Sequence, residues 1–460
     1  MAAYLPGSFY YSSARGVLLA DGVHSHVRGA SGNRAAAAAE ALEAAVLAGV
    51  ENPVVVGAIG FRPDSGSSLI VPAVVRRAGA PGAGEELGAG LHAGNCADAG
   101  AGDELVAGPH TGDGADAGAA ERDVAGERAN ASAAERDGVE PGSRDPAREG
   151  DRPAASGQRS AKDRRNNGTE TPLNNTPWTV VPQPAPEVYA ESVRRAVDLI
   201  QDGELRKVVL ARALDLVGER GVSVQQLLNN LVLADPAAHA FAVDVSAPGD
   251  PEPRTLVGAS PELLVSRKGD VVTANPLAGS RRRTGDPAQD AQAIADLRVS
   301  EKDLNEHALV AAQVAEVLGR YCTELDVPEK PEVMGTPTMW HLSTRITGRV
   351  GPGGPSSLEL AEALHPTPAV CGVPVGLARD TIAQLEPEDR GYYAGLVGWT
   401  DLAGDGEWVV TIRCAEVSGR TARLFAGAGV VAGSDPAAEL AETSAKFGTL
   451  LRALGAEGVA

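Results

Sequence analysis

Aromatic residues are scarce in this chain. Five Phe, four Trp and seven Tyr make up 3% of 460 residues, and none lies between Phe61 and Trp178. Ile is likewise missing between Ile70 and Ile200. Cysteine is rare: Cys96, Cys322, Cys371 and Cys414 form no CxxC pair and no metal-ligand spacing. That excludes a disulfide-stapled scaffold and a cysteine zinc site, and leaves reduced cytosolic thiols as the expectation. No apolar run approaches the roughly eighteen residues of a membrane span, and the N-terminus has no basic-then-apolar leader pattern, so a cytoplasmic protein is expected. Positive charge is also in deficit. Lys and Arg number 41 against 61 Asp and Glu, a net charge of −20, the opposite of the basic stripe that nucleic-acid binders carry. What is present is 43% apolar and 22% charged residues, a globular mix with ample core material.

The scarcity is local. Residues 78–160 hold 21 Ala and 17 Gly, and residues 78–170 hold ten basic against eighteen acidic side chains. So little branched or aromatic surface cannot offset the entropy of ordering the chain. Residues 78–177 are therefore expected to be a disordered insertion between 1–77 and 178–460. At about 150 residues per domain the length alone suggests two or three domains. Setting the insertion aside reduces that to one catalytic domain. No repeat of solenoid period is present.

In the first piece, Arg34–Ala48 has the pattern of an Ala-rich helix, and Val54–Ile59 that of a buried strand. In the second, Glu187–Asp202 and Asp286–Tyr321 predict helices. Leu205–Leu216, Arg254–Arg267, Asp270–Asn275, Trp408–Val417 and Thr421–Ala426 predict strands, several placed as hairpin neighbours. Long helices among adjacent strand pairs predict an α+β fold with large, mostly antiparallel sheets and outer helices, not a βαβ repeat.

Two carboxylate pairs stand at helical spacing: Asp303 with Glu306, and Glu439 with Glu442. A spacing of three puts each pair on one helix face. Hard oxygen ligands from two elements suit Mg²⁺; two solvated amphipathic faces produce the same pattern. Arg413 interrupts the apolar run Trp408–Ala415, where a guanidinium needs an anion, a route to water or an exposed edge. On strand alternation Lys207 shares a face with Leu205, Val209 and Ala211. A lysine desolvated by such neighbours has its pKa drawn down, as a general base requires, unless it snorkels to solvent. Glu262 follows Ser260-Pro261 ahead of Leu263-Leu264-Val265, a setting for a raised carboxyl pKa or for an exposed turn. Gly-rich Ala426–Val431 and Pro276–Ser280 allow close backbone approach to an anion, or simply turn the chain.

Taken in order, these pieces are specific. Lys207–Arg212, Gly258–Leu264, Pro276–Gly279, Glu301–His307, His365–Ala369, Thr411–Cys414 and Gly427–Gly429 closely resemble the motifs of the chorismate-utilising enzymes. Within that family the series is most similar to isochorismate synthases of the siderophore and 2,3-dihydroxybenzoate type. Asn52–Ile59 and Ser67–Pro72 resemble the same subgroup, so the likeness covers everything except the insertion.

The resemblance implies a reversible, Mg²⁺-dependent isomerisation of chorismate to isochorismate without redox chemistry. Lys207 takes the place of the base that activates water for attack at C2, and Glu262 that of the acid for the departing C4 hydroxyl. Glu306 and Glu442 match direct metal ligands, with Asp303 and Glu439 as outer or water-mediated partners; the short side chain of Asp303 disfavours a direct bond. Gly279, His341, Ala369, Tyr393, Ile412, Arg413, Gly427 and Lys446 match the substrate-binding set. A monomer is implied, with chorismate and a downstream isochorismatase as partners and neither nucleic acid nor membrane.

Salicylate synthase, which goes on to eliminate pyruvate, usually has Thr at the positions of Ala369 and Ser280, so both positions favour the isomerase. Anthranilate and aminodeoxychorismate synthases typically lack the lysine base. A catalytically inert binding relative would be expected to have lost one of Lys207, Glu262, Glu306, Glu442 or Arg413, and all five are here.

Overall fold

The computed structural model describes residues 4–79 and 177–458. Apart from its ends, the expected insertion at 78–177 lies outside the described residues. Its first boundary shifts by one residue, because Ala78 still belongs to the strand Ser67–Ala78.

Seventeen strands form one sheet in which every pairing is antiparallel, as the sequence pattern predicts. The pairings follow a single path. From the hairpin of Phe9–Ser13 with Gly16–His26, one arm runs through Ser67–Ala78, Val54–Ile59, Leu396–Asp401 and Gly406–Val410 to Leu263–Lys268. The other arm runs through His239–Asp244, Arg254–Ser260, Cys414–Ser418 and Thr421–Val430 to Lys207–Gly218. Side-chain alternation divides the strands around the first hairpin between two cores. Phe9, Tyr11, Leu18, Phe241 and Val243 enter one cluster, while Tyr10, Val17, Leu19, Ala240 and Ala242 enter the other. A separate three-stranded antiparallel sheet consists of Leu277–Arg282, Met339–Ser343 and Glu332–Gly335.

The helices are α1 (Arg34–Leu47), α2 (Pro186–Asp202), α3 (Val224–Ala234), α4 (Pro287–Val299), α5 (Glu301–Leu318), α6 (Ser357–Leu364), α7 (Val375–Leu385) and α8 (Pro436–Ala453). Leu227, Leu228 and Leu231 of α3 close the second core together with Phe447 and Leu450 of α8. The first core takes Ala38, Leu42 and Ala45 of α1 and Val193 and Ala196 of α2. None of the described helices is long and apolar enough to cross a membrane.

Three elements expected to be continuous are broken. The helix expected over Asp286–Tyr321 stops at Ser300, whose extended backbone ends α4 while its hydroxyl accepts the Asp303 N–H and starts α5. The strand expected over Arg254–Arg267 splits at Pro261-Glu262, and the one expected over Trp408–Val417 splits at Thr411–Arg413. Arg413 there has a left-handed backbone, φ 51°. The two strand breaks present Glu262 and Arg413 to one place, where a continuous strand would have carried them past.

Candidate active site

The strand Lys207–Gly218 lies beside Thr421–Val430 over ten paired positions, with Val209 opposite Gly429 and Ala211 opposite Gly427. The two glycines keep this surface open. A Cβ on Gly429 would stand 2.6 Å from Glu306 Oε1 and 3.1 Å from Lys207 Cε, and one on Gly427 would stand 2.9 Å from the Tyr393 hydroxyl oxygen. Gly279 sits at a bulge in its strand pairing with φ 73°, a left-handed conformation that favours glycine, and a Cβ there would meet Asp303 at 3.0 Å.

These surfaces enclose a cavity of about 60 Å³. Glu262, Glu306, Glu442, Arg413 and Lys446 line it, and Gly279, Ser280, His341, Ala369, Tyr393, Ile412 and Gly427 complete much of its wall. Lys207 lies against this wall, fully buried, with Nζ 2.8 Å from Glu306 Oε1. The remaining two residues of the expected set, Asp303 and Glu439, do not line the cavity. Asp303 is paired with Arg281, and Glu439 Oε1 lies 3.0 Å from Lys302 Nζ.

Burial dominates the electrostatics. The Glu262 carboxyl is buried, with no hydrogen-bond partner at Oε1, and desolvation pushes its pKa up to about 7. The Leu277 N–H and the charges of Lys207, Arg413 and Lys446 only partly oppose that rise. For Glu306 the balance is reversed. Burial raises its pKa, but the pairing with Lys207, aided by Lys446 and Lys302, holds it below the usual carboxylate value. Lys446 donates to the Gly427 carbonyl at 2.8 Å and lies 2.7 Å from Glu442.

Arg413 is buried, and its Nε has no partner. Its Nη2 donates to His341 Nε2 at 3.3 Å, so the imidazole proton sits on Nδ1, 2.8 Å from the Ser280 hydroxyl. Burial first, then the positive charges of Arg413 and Lys446, hold His341 neutral. Among the described residues no carboxylate lies within ion-pair distance of Arg413, so the guanidinium lines the cavity without a paired counter-charge. The Ser280–His341–Arg413 chain was not legible in the sequence beyond the separate residues, because it joins two strands of the small sheet to a loop of the large one.

A family model described as chorismate binding enzyme matches residues 149–455. The chain belongs to the chorismate-binding enzyme family. It is 53% identical over 283 residues to isochorismate synthase DhbC of Bacillus subtilis, covering 61% of this chain and 71% of that protein. To the vibriobactin-specific isochorismate synthase of Vibrio cholerae it is 45% identical over 278 residues, covering 60% and 69%. The crystal structure of DhbC from Bacillus anthracis aligns over 99% of this chain and 98% of its own, with a TM-score of 0.77 and 38% identity.

Proposed function

We propose that this protein is an isochorismate synthase, converting chorismate to isochorismate by addition of water at C2 and loss of the C4 hydroxyl. One observation carries the reading: a buried lysine just behind the wall and a buried carboxyl of raised pKa flank a cavity whose arginine, among the described residues, forms no ion pair. With Glu262 protonated and Lys207 neutral, as their roles of acid and base require, Arg413 and Lys446 balance Glu306 and Glu442. The site thus escapes the negative charge of a chain of net charge −20, and a bound divalent cation would make it cationic, as a dianionic substrate requires.

Lys207 Nζ takes a proton from the water that forms the new C2–O bond. The ring double bonds shift, the C4–O bond breaks, and Glu262 gives its proton to the departing hydroxyl, which leaves as water. Water is consumed and released once each, and the proton returns from Lys207 to Glu262 through solvent. Arg413 and Lys446 hold the substrate carboxylates, and the Ser280–His341 pair keeps the guanidinium aimed. The cavity is narrower than the few hundred Å³ usual for a small-molecule site. Substrate enters as Lys446 exchanges Glu442 and the Gly427 carbonyl for substrate oxygens.

The donor set suits Mg²⁺. Glu306 and Glu442 bring carboxylate oxygens from α5 and α8 to one cavity, and His341 Nε2 is already engaged by Arg413. Among the described residues no three His, Cys, Asp or Glu side chains stand together at metal-binding spacing. The protein would therefore supply two ligands and leave the others to water and substrate, the usual arrangement for this ion. Bound there, Mg²⁺ supplies charge that neutralises the substrate carboxylate and stabilises the transition state. Asp303 and Glu439, held by Arg281 and Lys302, are outer partners that orient the two helices. The names of two relatives, a 2,3-dihydroxybenzoate-specific and a vibriobactin-specific isochorismate synthase, support a product destined for synthesis of that kind.

Turnover in H₂¹⁸O tests the chemistry. One label at the C2 hydroxyl of isochorismate is expected; unlabelled product would exclude attack by water.

A further inference from the structure

The strand that carries Lys207 has an incomplete neighbour. Gly372–Val373 pairs with Lys207 and Val208, and the Val209 N–H reaches the Cys371 carbonyl at 2.8 Å. The strand Trp178–Gln183 takes over only from Ala213 onward. Between these partners the Val209 carbonyl and the Ala211 N–H would face a buried gap, which is costly unless something fills it.

Two side chains fill it. Glu386, the residue that follows α7, accepts the Ala211 N–H at 2.7 Å, and Arg390 Nη2 donates to the Val209 carbonyl at 2.7 Å. Arg390 Nη1 donates to the Val370 carbonyl at 2.8 Å, and Nε donates to Glu386 Oε2 at 2.8 Å. The two side chains are 3% and 6% exposed, and the guanidinium lies 4.4 Å from the Phe61 ring centroid and 6.0 Å from that of Tyr393. A single planar fork thus ties together the Lys207 strand, the segment bearing Ala369 and the ring of Tyr393.

We propose that the Glu386–Arg390 pair is the positioning device of the site, setting Lys207 in register with the cavity wall formed by Ala369 and Tyr393. Neither residue lines the cavity. They act through the backbone, completing the sheet edge where no strand reaches. Lysine at 390 keeps the charge but offers one donor centre in place of a fork, so it cannot serve Glu386, Val370 and Val209 together. Glutamine at 386 keeps the acceptor and removes the charge.

The inference rests on the proposed isomerase reading, so its test has one arm that does not use turnover. In the full chain, Arg390→Lys and Glu386→Gln are compared with wild type well below each variant's Tm. For Arg390→Lys, kcat for chorismate is expected to fall on the order of 100-fold with KM within about threefold, because the anchors Arg413 and Lys446 are untouched while the base is displaced. Glu386→Gln, which keeps an acceptor for the Ala211 N–H, should lose less. In parallel, hydrogen exchange should rise in the peptide covering 207–211 while the opposite arm of the sheet keeps its protection. Wild-type kcat in the folded variants would overturn the proposal, as would exchange that rises evenly across the sheet. If wild type itself fails to turn over chorismate, the isomerase reading falls and the exchange pattern alone decides the clamp.

Discussion

The carboxyl of Glu262 follows Pro261 at a break between two strands, and its raised pKa has a thermodynamic consequence. Between its ordinary value and about 7 the folded chain keeps a proton that the unfolded chain releases. Stability therefore falls as pH rises across that window and is level above it, a loss on the order of 3 kcal/mol. Glu262→Gln removes the titrating group, so the variant should gain on wild type between pH 4.5 and 8 in denaturant unfolding. Parallel curves would show the carboxyl to be unperturbed. If Glu262 acts as the acid, kcat/KM for chorismate should also decline as pH rises through about 7, and the Gln variant should lose roughly 100- to 10,000-fold in turnover. Lys207→Gln should lose activity on the same scale. Because its partner Glu306 is left without its cation, that variant should also unfold more easily, by up to about 3 kcal/mol.

At the scale of elements, what could be read from sequence and what could not divide cleanly. Strand alternation and helix periodicity placed Val54–Ile59, α1 and α2 within a residue or two, because each buries a continuous face. Periodicity ran straight across Ser300, Pro261-Glu262 and Thr411–Arg413, because apolar residues continue on both sides of each break. Hydrophobic pattern cannot show that Ser300 caps one helix while ending another, or that Arg413 turns left-handed. The site residues were legible through motif resemblance, whereas Glu386 and Arg390 are separated by long stretches from the strand they complete. The close strand pair beneath the site yields a further prediction. Gly429→Ala would drive a methyl group against Glu306 and Lys207, both side-chain contacts that can shift, so Tm should change little. The Mg²⁺ concentration for half-maximal activity should rise about tenfold or more as Glu306 is displaced. An unchanged Mg²⁺ requirement would argue against Glu306 as a ligand.

Across the whole molecule, the −20 charge belongs partly to a segment remote in composition from the catalytic fold. Ala78 and Trp178, on either side of the expected insertion, both pack against the second core cluster, and a flexible linker long enough to span them would rejoin the chain there. Replacing residues 80–176 with such a linker should leave chorismate turnover within about twofold and the melting temperature nearly unchanged. Loss of soluble protein would show that the segment contributes to the fold. The rest of the acidic surface surrounds a cavity where Arg413 and Lys446 offset Glu306 and Glu442, and that local relief of negative charge is what the proposed chemistry depends on. The most direct test is incubation of the full chain with chorismate, with and without Mg²⁺, separating the products by chromatography and assaying pyruvate in parallel. The expected result is Mg²⁺-dependent formation of isochorismate to an equilibrium mixture with no pyruvate. Absence of Mg²⁺-dependent consumption, or pyruvate released in step with chorismate loss, would contradict it.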